Sequence, residues 1–153
     1  MEKKISIQFK STAYRMLKKM PGKLWFIFGE FIDNSISSYL QNRKELERIN
    51  GENFKLRIEL SFDGDDEIRI TDNAAGIDHK NWLRALQPGD IPEDDSGMNE
   101  FGMGMKYSAV WLSNHWTLKS KSINDSFQKI VHFDFHKVIS KNLEDLPYEE
   151  NYD

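Results

Sequence analysis

Between Phe54 and Phe62 the chain alternates without a break: Phe54, Leu56, Ile58, Leu60 and Phe62 are apolar, and Lys55, Arg57, Glu59 and Ser61 are polar. Period two over this length specifies a strand with one apolar and one polar face. Asp63-Gly64-Asp65-Asp66 has the composition of a hairpin turn, and Ile68 and Ile70 carry the pattern into a second strand. The preceding stretch offers a helix. Pro21-Gly22 marks a turn, and from Lys23 to about Ile49 only Gly29 interrupts. Leu24, Ile27, Phe28 and Phe31 recur at helical spacing, and Trp25, Ile32, Ile36 and Tyr39 add a second apolar stripe. A helix that is apolar on most sides is expected to be largely buried, with its charged end, Gln41 to Arg48, in solvent.

The remaining elements are shorter. Ile5 to Phe9 alternates like an edge strand, residues 81–86 and 105–112 read as helices, and residues 116–120 and 127–135 read as strands joined through Asn124-Asp125. Residues 87–104 carry Pro88, Gly89, Pro92, Gly97 and Gly102 beside Asp90, Glu93, Asp94 and Asp95. A loop of that length inside a domain is functional or mobile. Residues 142–153 are acidic and aperiodic, so they read as a tail or linker after a single domain at 1–141. The order strand, helix, hairpin, loop, helix, hairpin indicates an α+β fold in two layers.

Composition narrows the function classes. The 153 residues are 39% hydrophobic and 30% charged, an ordinary soluble balance. Lys and Arg total 21 against 25 Asp and Glu, a formal charge of -4 that argues against direct nucleic-acid binding by this domain. No cysteine is present, which excludes a disulfide framework or thiolate metal site and fits a cytoplasmic protein. The longest apolar run, Leu24 to Phe28, is far too short for a signal peptide or a membrane span.

Three constellations carry chemistry. Glu30, Asp33, Asn34, Ser37 and Gln41 recur every three or four residues and form a polar stripe on the apolar helix. Such a stripe is costly unless something pairs with it; it either faces solvent or meets a ligand. In the second case Glu30 orients and deprotonates a water, and the Asn34 carbonyl oxygen is a hard ligand for magnesium. Asp72-Asn73-Ala74-Ala75-Gly76-Ile77 closes a strand. It is either an ordinary turn or a carboxylate that accepts from an exocyclic amine, with small residues letting a flat ring approach. Phe101-Gly102-Met103-Gly104-Met105-Lys106 leads into a helix, where exposed N–H groups favour an anion and Lys106 adds charge. Each motif alone is weak. Their order, with 38 residues from Asn34 to Asp72 and 30 from Asp72 to Gly102, is much stronger.

In that order they resemble the GHKL ATPases, the class of gyrase B subunits, MutL, MORC proteins and the large heat-shock chaperones. Glu30 to Asn34 resembles the N-box E-x-x-D-N, Asp72 to Gly76 the D-x-G-x-G box, and Phe101 to Gly104 the F-G-x-G end of an ATP lid. The resemblance implies the Bergerat fold: a mixed, mostly antiparallel sheet with helices on one face. It implies ATP and Mg2+ as ligands, Glu30 as general base, Asn34 as the magnesium ligand and Asp72 as the reader of the adenine amine. Gly76 and Ile77 would lie against the base, Phe101, Gly102, Met103, Gly104 and Lys106 would serve the phosphates, and residues 87–101 would form the lid. Asp33 would support the site. Ala74 departs from the pattern, standing where the box has its first glycine. Thr117 is a candidate for the late threonine of this class. Glutamate at Glu30 favours the hydrolase branch over the histidine kinases, whose catalytic domain is the alternative together with a nucleotide-dependent interaction module lacking hydrolysis. The expected output is slow turnover linked to ATP-dependent homodimerisation, or to a downstream domain or partner protein outside this chain.

Overall fold

The computed structural model describes residues 3–6, 12–87 and 104–152. In chain order the elements are β1 (Lys4–Ser6), α1 (Thr12–Lys19), α2 (Leu24–Asn50), β2 (Ile58–Asp63), β3 (Glu67–Asp72), α3 (Asn81–Leu86), α4 (Gly104–Leu112), β4 (His115–Ser120), β5 (Gln128–Asp134), α5 (Phe135–Ser140) and β6 (Asp145–Asn151). The fold is α+β, as expected, with antiparallel pairing throughout the described strands.

The main sheet has the order β1-β6-β5-β4. Burial alternates along β5, where Lys129, Val131 and Phe133 are buried and His132 is exposed. One sheet face therefore receives the helices and the other faces water. Tyr14 and Leu17 of α1, Ile27 of α2, Trp82 and Leu86 of α3, Tyr107 and Val110 of α4 and Val138 of α5 share a core with Val131, Phe133, Leu146 and Ile5 of the sheet. At its centre Phe133 stacks on Trp116 at 4.5 Å and 7°, with the Tyr14 ring 4.8 Å away on a tilt.

The hairpin of β2 and β3 forms a second sheet, running from Ile58 opposite Asp72 to Asp63 opposite Glu67. Its strand starts later than the alternation does, because residues 54–57 lie outside any ladder. The hairpin meets α2 through an edge-on contact of Phe62 with Phe28 at 6.3 Å.

Three expectations need correction. The segment after residue 141 is not simply a tail: Asp145–Asn151 is β6, seated between β1 and β5. Leu146 is 2% exposed and Tyr148 half-buried, so the inward alternation is present, but the acidic residues on either side of them hide it. The helix α2 is not largely buried either. Among its residues only Ile27, Ser35 and Leu46 are, while Trp25 is 70% exposed, because the core covers one side and the hairpin touches the other lightly. Finally, the end of the expected strand at 127–135 turns into α5, whose first turn is capped by Asp134 accepting from the Lys137 N–H at 3.0 Å.

Candidate functional site

The polar stripe of α2 faces a cavity of about 480 Å³ rather than open solvent. Glu30, Asn34, Ser37 and Gln41 form one wall, at spacings that keep them on one helical face. The loop Ala75-Gly76-Ile77-Asp78 forms a second wall, and Gly104, Met105 and Lys106 at the start of α4 a third. The volume falls within the usual range for small-molecule sites. Three segments distant in sequence thus meet at one place, which no single motif could establish.

The loop is fixed by close backbone approach. Gly76 has φ 71°, and a Cβ there would lie 2.1 Å from the Lys121 carbonyl oxygen. On either side the Ile123 N–H donates to the Ala75 carbonyl at 2.9 Å and the Ile77 N–H donates to Ser120 Oγ at 2.8 Å. These bonds tie the end of the hairpin to the main sheet. Ala74 does not take a positive φ, so the backbone at the position that departs from the motif does not demand glycine. Its N–H donates to Asp72 Oδ1 at 2.9 Å, and Ser35 Oγ of α2 donates to Asp72 Oδ2 at 2.8 Å. Asp72 itself is exposed and stands outside the cavity wall, at the end of the strand that leads into it.

The opposite end pairs a carboxylate with a glycine. A Cβ on Gly104 would fall 1.8 Å from Glu30 Oε2, so a side chain there would displace the Glu30 carboxylate from the head of α4. Burial raises the Glu30 carboxyl above its ordinary range, and the charge of Asp33 raises it further. The position of α4 is set by its own burial and by two tethers. Tyr107 Oη donates to the Pro21 carbonyl at 2.7 Å, and Lys18 Nζ donates to the Val110 carbonyl at 2.6 Å. Lys106 lies on the cavity wall with 3% exposure. Phe101, Gly102 and Met103, and the expected lid from residue 88 onward, lie outside the described residues.

Other lining residues escaped the sequence reading. Asn81 and Arg84 of α3 and Ser122 and Asn124 of the turn after β4 reach the cavity. The signal for α3 was its periodicity: Trp82 and Leu86 are buried, which turns Asn81 and Arg84 to the other side. The turn carried only a serine followed two residues later by asparagine, and Ser122 Oγ accepts from the Asn124 N–H at 3.2 Å. Thr117 instead sits exposed on β4, hydrogen-bonded to His132 Nδ1 at 2.9 Å on the water-facing side of the sheet.

The donor set consists of carboxylate and amide oxygens, helix-start N–H groups and two cationic side chains. Such donors fit Mg2+ with phosphate oxygens, because magnesium takes hard oxygen ligands and a helix start favours anions. No helix among the described residues is long and apolar enough to cross a membrane. A family model described as histidine kinase-, DNA gyrase B- and HSP90-like ATPase matches residues 23–152. No curated protein matches the chain.

Proposed function

Because the chain belongs to the histidine kinase-, DNA gyrase B- and HSP90-like ATPases, we propose that its cavity takes ATP with Mg2+ and that the domain hydrolyses it slowly. The observation that carries this reading is the convergence of Glu30 and Asn34, Gly76 and Ile77, and Gly104 and Lys106 on one cavity. Asn34 holds the metal through its amide oxygen, and magnesium, when bound, neutralises charge on the phosphate oxygens. The N–H groups at the start of α4 and the Lys106 ammonium take the phosphates. Gly76 and Ile77 lie against the adenine, and Asp72, at the end of the strand that leads into the cavity, accepts from its amino group at the cavity mouth. Glu30 orients the attacking water and takes its proton, a duty suited to a carboxyl with a raised pKa. Turnover by the chain alone stays below about 1 s⁻¹, the slow end of enzyme rates. The resulting conformational change is passed to a second copy or to a following domain.

Calorimetric titration of ATP into the protein, with and without Mg2+, tests the site. The parent protein binds ATP in a magnesium-dependent way. Asp72→Asn weakens binding by about ten- to a hundredfold, the value of one hydrogen bond to a charged group. A well-folded parent that takes up no ATP overturns the assignment.

A further inference from the structure

The guanidinium of Arg84 is the feature of the cavity that the motifs do not account for. Among the described arginines, Arg43, Arg48, Arg57 and Arg69 each pair with a glutamate. Arg84 lines the cavity and has no hydrogen-bond or ion-pair partner among the described residues. Arg15 lies on α1 outside the cavity wall. The backbone that carries Arg84 is firmly held. Trp82 and Leu86 bracket it and are 2% and 0% exposed. The Leu86 carbonyl accepts from Tyr14 Oη, and the Lys129 ammonium sits 5.1 Å from the Trp82 ring centroid. A rigid base with a long cationic side chain directed into a concave site is an arrangement that orients an anion, and a guanidinium matches the geometry of phosphate oxygens.

We propose that Arg84 is a specificity-determining residue that binds the phosphate chain of the nucleotide from the α3 side, facing the start of α4. This rests on the nucleotide reading of the cavity given above. It adds that the domain distinguishes phosphorylated nucleotides from the nucleoside by a contact outside the glycine run. Solvent-exposed arginines serve solubility and move no affinity, so the two roles separate by experiment.

The test is calorimetric titration of MgATP, MgADP and adenosine into the full chain and its Arg84→Ala and Arg84→Lys variants, with circular dichroism to establish folding. Arg84→Ala is expected to lose about ten- to a hundredfold in affinity for MgATP and MgADP and nothing for adenosine, with Arg84→Lys in between. Unchanged MgATP affinity in Arg84→Ala, or equal losses for MgATP and adenosine, overturns this inference while the nucleotide site stands. A parent protein that binds none of the three removes the site and the inference together.

Discussion

Glu30→Gln is expected to bind MgATP as the parent does and to hydrolyse it about 10²- to 10⁴-fold more slowly, the usual worth of a positioned general base. Glutamine keeps the shape that fits against Gly104, where a Cβ would come within 1.8 Å of Glu30 Oε2, and removes only the ability to take a proton. The pH dependence follows from the carboxyl environment. Burial, and then Asp33, raise the Glu30 pKa, so the working carboxylate is lost at a higher pH than for an exposed glutamate. The parent rate therefore falls as pH drops through that raised value, and the limb vanishes in the variant. Stability runs the other way. The folded state favours the protonated acid, so it binds more protons than the unfolded chain between the ordinary glutamate pKa and the raised one. Parent stability accordingly declines as pH rises through that window, whereas Glu30→Gln lacks the decline. A steady-state phosphate-release assay and a melting series across pH read both effects. A variant that keeps the parent rate takes the base role away from Glu30.

The two periods that dominate the sequence, helical over α2 and twofold over the hairpin, made the fold class legible, because each is written by side chains that answer to one local geometry. What they could not convey is what covers each face. The apolar residues of α2 read as core, yet Trp25 and Leu40 stay exposed, since burial depends on neighbours that the helix itself does not encode. The strand β6 was hidden for the opposite reason: Leu146 and Tyr148 point inward, but Asp145, Glu149 and Glu150 outweigh them in any compositional reading. Glu30, Asn34, Gly76, Gly104 and Lys106 could be singled out because their spacing is a family pattern, and the structure brings them to one cavity. Arg84 and Ser122 could not be, because periodicity on a six-residue helix says only which side Arg84 takes and not what it faces, and a serine in a turn has no spacing to betray it.

The largest structural effect is expected from Gly76→Ala. Three constraints meet at that residue. Its φ of 71° disfavours any side chain, the new Cβ would stand 2.1 Å from the Lys121 carbonyl oxygen, and that carbonyl belongs to a backbone turn rather than to a side chain able to swing away. Moving the turn would break the Ile123-to-Ala75 bond and the Ile77-to-Ser120 bond that hold it. Left-handed backbone with a Cβ and forced overpacking together cost about 2–5 kcal/mol, a large share of the ~5–15 kcal/mol that stabilises a typical domain. Urea unfolding should therefore show a markedly lower midpoint at an unchanged slope. The neighbouring position supplies the contrast. Ala74 has no positive φ, so Ala74→Gly restores the letter of the motif while adding unfolded-state freedom, and it is expected to lose about 0.4–1 kcal/mol. If Gly76→Ala proved as mild as Ala74→Gly, the loop would not be pinned to the 121–123 turn, and the wall it lends to the cavity would have to be held by something else. A large gap between the two variants would instead tie the integrity of that wall to one backbone contact, and so explain why a chain that dispenses with the first glycine of its box retains the second.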